Sequence, residues 1–256
     1  MVKKELVSVK IVSQTLVSTS KEELLAFLVA RVFQKKKISI STPNPEFVVF
    51  AKHNLWFKKI LGKIDVAIPD GVGLVWAGKM LGQPIKERIS GTDLMEKLCE
   101  EAAKRDWTVY LIGGKRGVAK RTLWVLKKRF PGLKGWAETG PKFNLSSVSY
   151  RLSSQKAIAE AVKRVNLRKP DLLFVAFGMG KQEKFIADNW DKLKVKLAMG
   201  VGGAFDYFSG QVPRAPRWMR EAGLEWLYRL FRQPWRWRRQ LRLIEFVWIV
   251  FKEKFT

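Results

Sequence analysis

A single carboxylate follows a short apolar segment in the stretch DVAIPDGVGLVWAGKM (65–80). Asp70 stands between a predicted strand, DVAIP, and two closely spaced glycines, Gly71 and Gly73, that begin a helix predicted over 71–81. A carboxylate at the end of a buried strand can act as a general base toward a substrate. It can equally cap the following helix by accepting a hydrogen bond from a backbone N–H group. The local pattern leaves both roles open.

Three glycine-containing turns follow other predicted strands: LIGGKRGVAK, AFGMGKQEKF and GVGGAFDYF. Glycine lets the backbone approach a phosphate closely, and the N-terminus of a following helix supplies N–H donors. Gly113, Gly114, Gly202 and Gly203 are therefore candidate substrate-binding positions. IGGKRG lacks the first glycine of the dinucleotide fingerprint, although Glu138 lies where a ribose-binding acid would be expected, so the pattern for NAD is incomplete.

Most other catalytic signatures are absent from the sequence. The only histidine, His53, has no metal-ligand spacing and is interpreted as a helix-surface or packing residue. The chain contains no G-x-S-x-G, no phosphate-binding P-loop, no cysteine pair and no D-x-D. We expect no metal and no cofactor. A leaving diphosphate would then be stabilised by arginine, lysine and helix N-termini.

Strand-length apolar runs alternate with segments of helical period, which predicts an α/β fold. We expect a Rossmann-like, largely parallel sheet with helices on both faces. The predicted strands are KISIS, DVAIP, WTVYLIG, DLLFVAFG and LAMGVGG. The predicted helices cover 45–61, 71–81, 92–104, 117–130 and 154–168.

The overall composition indicates a globular protein with an anionic partner. The chain has 256 residues, 47% of them hydrophobic, and a formal charge of +26. Such an excess fits nucleic acid, an anionic membrane surface or a phosphate-bearing substrate. The single cysteine, Cys99, cannot form an intrachain disulfide, and no signal peptide is evident. The most apolar run is LIEFVWIVF, which is far shorter than the roughly 20 residues of a membrane-spanning helix. We expect a cytoplasmic protein, with membrane attachment left open.

The composition changes near residue 212, where arginine and tryptophan become frequent. We therefore predict an α/β catalytic domain over 1–211 and a helical, Arg/Trp-rich, membrane-associating appendage over 212–256. One helix follows Gly223 and ends before Pro234. The next carries an apolar stripe that needs a protein partner or a membrane interface. This stripe comprises Trp237, Leu241, Ile244, Trp248, Phe251 and Phe255.

Several segments together resemble the WecG/TagA/CpsF glycosyltransferase family, in order from about residue 38 to 240. They are TPNPEFV, IPDGVGLVWAG, ERISGTDLM, YLIGG, GKQEKFIADN and GGAFDYFSGQVPRAPRWMREAGLEWLYRLFRQPWRWRRQ. The resemblance implies transfer of a sugar, typically N-acetylmannosamine or its uronic acid, from a UDP-linked donor to polyprenyl-diphosphate-linked N-acetylglucosamine. It implies an inverting, metal-independent enzyme at the inner face of a bacterial membrane, acting in wall teichoic acid or related polysaccharide synthesis.

The resemblance assigns roles to individual residues. Asp70 matches the family's carboxylate and would be the general base. Thr42 and Asn44 would orient donor or acceptor, although a helix cap and its turn explain them equally well. Arg88 would neutralise a diphosphate; a surface arginine is the alternative.

Other matches concern the third glycine turn and the C-terminal arginines. Gln182 and Glu183 match the family's QE pair, although Gly180 stands where a proline is common. Basic positions of the family's tail correspond to Arg229, Arg236 and Arg239, which would clamp the diphosphate. The arginines expected to hold the enzyme at the membrane are Arg229, Arg232, Arg236, Arg238, Arg239 and Arg242.

Two other function classes stay open on sequence alone. A basic nucleic-acid-binding protein would fit the charge and the interleaved Arg and Trp, and an NAD-dependent oxidoreductase would fit the sheet. Against nucleic acid, the basic residues are spread along the whole chain and the C-terminal helix carries a long apolar stripe. We expect no nucleic-acid partner. A homo-oligomer is possible, and the sequence does not fix the oligomeric state.

Overall fold

The structure is a computed structural model that describes residues 6–141, 152–234 and 237–255. A two-stranded antiparallel hairpin comes first, and the other strands form one six-stranded parallel sheet. The hairpin comprises β1 (Ser8–Ile11) and β2 (Gln14–Val17). The sheet comprises β3 (Ile38–Ser41), β4 (Val66–Ala67), β5 (Thr108–Gly113), β6 (Lys134–Glu138), β7 (Leu172–Ala176) and β8 (Leu197–Gly200), in the order β4-β3-β8-β7-β5-β6.

Twelve helices accompany these strands in the described ranges. The first six are α1 (Lys21–Phe33), α2 (Pro45–His53), α3 (Leu55–Leu61), α4 (Val72–Met80), α5 (Gly91–Lys104) and α6 (Val118–Arg129). The others are α7 (Leu152–Arg168), α8 (Lys181–Asn189), α9 (Ala204–Phe208), α10 (Arg217–Glu221), α11 (Glu225–Arg232) and α12 (Trp237–Phe255). The predicted parallel α/β architecture is confirmed.

The hairpin, α1 and β6 are absent from the sequence prediction, and one predicted helix is divided. The helix predicted over 45–61 is divided at Asn54, whose backbone is extended (φ −132°, ψ 92°) and whose side-chain amide donates to the carbonyl of Phe50 at 2.9 Å. The competing side-chain hydrogen bond explains why an Asn interrupts an otherwise helical run. Strand β6 was not predicted, because it is a partly exposed edge strand without a clear apolar alternation.

Apolar clusters cover both faces of the sheet. One joins the strands to α1, α5 and α6, and the other joins them to α7 and α8. A third cluster lies apart from these two. It joins the hairpin, α2 and α4 to three buried residues of α12: Phe246, Ile249 and Val250.

Helix α12 is fixed to α2 by polar contacts as well as by apolar packing. The imidazole of His53 pairs with the carboxylate of Glu245, which supports the interpretation of His53 as a helix-surface residue. Arg242 donates to Glu46 at 2.9 Å, so its guanidinium faces α2. In contrast, all six residues of the predicted stripe are exposed, between 42% for Phe251 and 78% for Phe255.

Candidate active site

A cavity of about 1550 Å³ runs along the carboxyl ends of the parallel strands. The loops after all six strands contribute to its walls, as open parallel sheets commonly arrange a binding site. Helices of the C-terminal segment close another side. The sequence-predicted residues that line it are Thr42, Asn44, Asp70, Arg88, Gly113, Gly114, Gln182, Gly202, Gly203 and Arg229.

One predicted site residue that the structure describes, Glu183, does not line the cavity. Glu183 is buried behind Gln182, at 1% exposure. Arg236 and the side chain of Arg239 lie outside the described residues. Their predicted contacts therefore stay predictions.

Asp70 is placed by backbone contacts between neighbouring loops. Its N–H donates to the carbonyl of Pro43 at 2.8 Å, which ties the loop after β4 to the loop after β3. Its Oδ2 accepts from the N–H of Gly91, the first residue of α5, at 3.2 Å. Helix α4 has Gly71 as its N-cap and no side-chain cap. The helix-cap explanation for Asp70 is therefore wrong for α4.

The surroundings of Asp70 favour its protonated form. Desolvation is the largest effect and raises the pKa of Asp70 to about 6, with a smaller contribution from the negative charge of Glu225. The hydrogen bond from Gly91 and the charge of Arg88 act in the opposite direction. A carboxyl group with this pKa is ionised near neutral pH and is basic enough to accept a proton.

The neighbouring predicted residues have defined partners. Asn44 caps α2, because its Oδ1 accepts from the N–H of Phe47 at 3.0 Å. Thr42 lies next to Gly91, where a Cβ atom would press on its methyl group. Arg88 is half-buried and donates to the carbonyl of Arg220 in α10 at 2.7 Å. The loop after β3 and the C-terminal segment therefore both approach Asp70.

Gly113 and Gly114 lie where the end of β5 closely approaches the end of β7. Gly113 has φ +124°, and a Cβ atom there would collide with the backbone of Ala176 at the end of β7. Gly114, at φ +71°, donates its N–H to the carbonyl of Ala176 at 2.9 Å. These conformations bring the turn into the cavity wall before α6 begins.

Gln182 connects the loops after β7 and β8. Its Nε2 donates to Oε1 of Glu183 at 2.8 Å, and its Oε1 accepts from the N–H of Gly202 at 3.0 Å. The N–H of Gly180 donates to the other oxygen of Glu183 at 2.7 Å. Desolvation raises the pKa of Glu183 to about 7 despite these hydrogen bonds. Proline could not replace Gly180 here, because φ is +83° and the N–H is used.

Arg229 reaches from α11 to the loop after β8. Its guanidinium lies 5.2 Å from the ring centre of Tyr207, over the ring face. A side chain at Gly203 would overlap this guanidinium, so glycine makes the approach possible. The buried Nε of Arg229 has no hydrogen-bond partner within the described residues. Arg229 also lines the cavity, so its guanidinium can bind an anion there.

Sequence reasoning missed an ion-pair cluster that holds the C-terminal segment against α5. Arg214 donates to Asp93 at 2.6 Å, and Arg220 lies 3.8 Å from the same carboxylate. Arg214 also lies 3.5 Å from Glu225, a cavity residue. Asp93 and Arg214 are 121 residues apart, and only their presence in the recognised segments SGTDL and RAPRW could have marked them.

Three further observations concern NAD binding, metal binding and membrane spanning. Glu138, considered as a ribose-binding acid, accepts instead from Arg164 at 2.7 Å and is absent from the cavity wall. The described residues contain no group of three or more His, Cys, Asp or Glu side chains placed to hold a metal ion. Over the same residues, no helix has the length and apolar character that a bilayer span requires.

Comparison with known proteins gives one family match and several similar proteins, all of them glycosyltransferases. The profile of the "Glycosyl transferase WecG/TagA/CpsF family" matches residues 9–256. A Bacillus spizizenii protein is 34% identical over 221 residues, covering 86% of this chain and 81% of the relative. A Bacillus subtilis protein is 33% identical, covering 86% and 82%, and a Staphylococcus aureus protein is 32% identical, covering 74% and 70%.

All three relatives carry the same name, N-acetylglucosaminyldiphosphoundecaprenol N-acetyl-beta-D-mannosaminyltransferase. The family match covers nearly the whole chain and includes every residue that lines the cavity. This chain belongs to the WecG/TagA/CpsF family of glycosyltransferases.

Proposed function

We propose that the protein transfers N-acetylmannosamine from a UDP-linked donor to N-acetylglucosamine on a polyprenyl diphosphate, in the synthesis of a bacterial cell-wall polymer such as teichoic acid. The names of the relatives support this sugar and this acceptor. The observation that carries the chemistry is Asp70, a carboxyl group with a raised pKa on the wall of a large cavity.

The reaction is a single displacement at the anomeric carbon. Asp70 accepts the proton of the acceptor hydroxyl while that oxygen forms a bond to the anomeric carbon of the donor. The bond between this carbon and the UDP oxygen breaks, and UDP leaves with the bonding electron pair. Attack on the face opposite UDP inverts the anomeric configuration. Proton removal by a positioned base typically contributes about 10²- to 10⁴-fold to the rate.

Charge on the departing UDP is stabilised by protein groups. Arg229 lines the cavity and places its guanidinium next to the turn at Gly203. Such a fork can bind two diphosphate oxygens at once. Lys115 and Arg116 line the cavity beside the turn at Gly114. We infer that these groups remove the need for a divalent cation.

The enzyme attaches peripherally to the inner membrane face through its C-terminal segment. Trp237 is 54% exposed and Trp248 is 60% exposed on α12, and Trp218 is 63% exposed on α10. Tryptophan and arginine are favoured where a protein surface meets lipid headgroups. The net charge of +26 adds attraction to anionic lipids.

The proposal is tested with purified protein, UDP-N-acetylmannosamine or UDP-N-acetylglucosamine, and a short-chain N-acetylglucosaminyl diphospholipid. We expect product only with the first donor, with inverted configuration by NMR and unchanged rates in EDTA. Loss of activity in EDTA that magnesium or manganese restores would contradict the metal-independent step. Absence of product with every UDP-sugar, while DNA or NAD binds tightly, would contradict the function.

A further inference from the structure

The walls of the cavity divide into a polar part and an apolar part. Glycine turns and Asp70 form the polar part along the sheet, whereas three helices, α4, α11 and α12, supply the apolar part. We call the apolar part the apolar mouth. It comprises Val72 and Trp76 of α4, Trp226 of α11, and Leu243 and Val247 of α12.

The apolar mouth is an opening and not a closed core. Val72 and Val247 are each 38% exposed and Trp226 is 42% exposed, although all three face the cavity. Val72 is only two residues from Asp70, so the opening begins beside the proposed base. At Gly223 a side chain would overlap Val72, which shows that the turn between α10 and α11 closes tightly on one side of it.

On α12 the apolar mouth continues into the exposed stripe. Leu243, Val247 and Phe251 follow one another at intervals of four residues, so they form one row along the helix. Ile244 and Trp248 form the adjacent row and are 69% and 60% exposed. Phe251 also contacts Trp76 across the mouth, with ring centres 6.0 Å apart. Apolar side chains therefore follow one another along α12 from the cavity wall to its exposed face.

We propose that the apolar mouth binds the first isoprenoid units of the acceptor's polyprenyl chain. This inference rests on the proposed function, which places the sugar and the diphosphate of the acceptor in the polar part. The attached hydrocarbon has to leave the cavity, and the apolar mouth is a route that keeps it out of water. Because the route ends on the exposed stripe, the remaining chain can stay in the bilayer.

A length series of diphosphates tests binding without requiring catalysis. Inorganic, dimethylallyl, geranyl and farnesyl diphosphate are titrated into the full chain by calorimetry below their micelle concentrations. Burying each five-carbon unit is expected to lower the Kd about tenfold or more. Equal affinity for inorganic and farnesyl diphosphate would overturn the proposal that the apolar mouth binds isoprenoid units, whatever the result of the transfer assay.

Two substitutions at adjacent positions test whether the gain in affinity with chain length arises in the apolar mouth. Leu243→Gln lies in the apolar mouth, and Ile244→Gln makes the same change on the outer stripe. We expect Leu243→Gln to abolish most of the affinity gained between dimethylallyl and farnesyl diphosphate, and Ile244→Gln to retain it. If Leu243→Gln does not fold, Val247→Gln, at a more exposed position, serves in its place.

Transfer kinetics separate this inference from the proposed function. The acceptors are N-acetylglucosaminyl diphosphate esters of farnesol and of methanol. We expect a KM at least tenfold lower for the farnesyl ester, and little difference in Leu243→Gln. Transfer to both esters with equal KM would overturn the proposal that the apolar mouth binds isoprenoid units, but it would still support the proposed transferase function. A Leu243→Gln protein that loses only liposome binding, with full chain-length discrimination, would show that these residues merely extend the membrane surface.

Discussion

The carboxyl group of Asp70 accepts a hydrogen bond from Gly91 at the start of α5, and not from α4, which follows it directly in the sequence. This contact keeps the carboxyl group at the junction of two loops and on the cavity wall. Within the described residues, the one hydrogen bond of this carboxyl group is the bond from Gly91. The position suits a base that must reach a bound hydroxyl.

The first prediction concerns turnover. Replacement of Asp70 by Asn keeps the shape and the hydrogen bond from Gly91 but removes the proton acceptor. We expect kcat to fall by about 10²- to 10⁴-fold, with UDP binding by calorimetry unchanged. Wild-type kcat in this variant across neutral pH would exclude Asp70 as the base.

The second prediction follows from the pKa of about 6 at Asp70. Activity requires the ionised form, so kcat/KM should rise with pH through about 6 and then level off. The contribution of Asp70 to the free energy of unfolding should change in the opposite direction with pH. The folded state holds this proton more tightly than the unfolded state does, so the contribution of Asp70 to stability decreases as pH rises from about 4 to 6.

The stability effect is measured against Asp70→Asn, which has no titrating group there. Between pH 4.5 and 7.5 the variant should gain about 1 to 3 kcal/mol relative to wild type, the upper value being the full pKa shift converted to free energy. Urea unfolding at both pH values gives this difference, and other titrating groups cancel because both proteins contain them. A constant difference between the two proteins would show that the pKa is not raised.

The third prediction concerns the anion-binding role of Arg229. Arg229→Lys retains the charge but loses the planar fork that can bind two oxygens together. We expect kcat/KM for the UDP-sugar to fall about 10- to 100-fold, as charge-assisted hydrogen bonds contribute roughly 1.5 to 3 kcal/mol. Arg232→Lys, at an exposed position on the same helix, is the matched control. Equal values of kcat/KM in the two variants would contradict the anion-binding role of Arg229.

The fourth prediction concerns the buried Glu183. Both of its oxygens accept hydrogen bonds, from Gly180 and from Gln182. Glu183→Gln would place its NH₂ group against one of these donors, which should reduce the free energy of unfolding by about 1 to 3 kcal/mol. Asp188→Asn, a partly exposed position on the same helix, should change it by less than about 0.5 kcal/mol. Similar unfolding curves for both variants would contradict the described network.

The fifth prediction separates the two faces of α12. Phe246 is 1% exposed, so Phe246→Ala should cost about 3 to 5 kcal/mol of stability. Trp248→Ala, at 60% exposure, should leave stability nearly unchanged but weaken co-sedimentation with anionic liposomes about tenfold or more. Undiminished liposome binding by Trp248→Ala would argue against the outer face as the membrane contact.

Local patterns were enough to predict the parallel sheet, the glycine turns and the cap at Asn44. Each of these depends on residues that are close in the sequence. Family resemblance was needed for Arg229, because an arginine on an amphipathic helix has no local feature that points to a distant loop. The pair of Asp93 and Arg214 could not be predicted for the same reason.

The orientation of α12 was also beyond the sequence. Apolar residues occupy both the row with Ile244 and Trp248 and the row with Phe246 and Ile249. Periodicity identifies each row as apolar, but it does not tell which one packs on α2 and α4. Only the tertiary packing shows that the more aromatic row is the one left uncovered.

The third apolar cluster has a consequence for biosynthesis. Its members on α4 precede its members on α12 by more than 160 residues, since α4 ends at Met80 and Phe246 comes much later. At a synthesis rate of about 5 to 20 residues per second, this interval lasts on the order of 10 to 30 seconds. Throughout it the nascent chain displays Val48, Leu74 and their neighbours without their eventual cover. Completion of this cluster is therefore expected only after α12 has been synthesised.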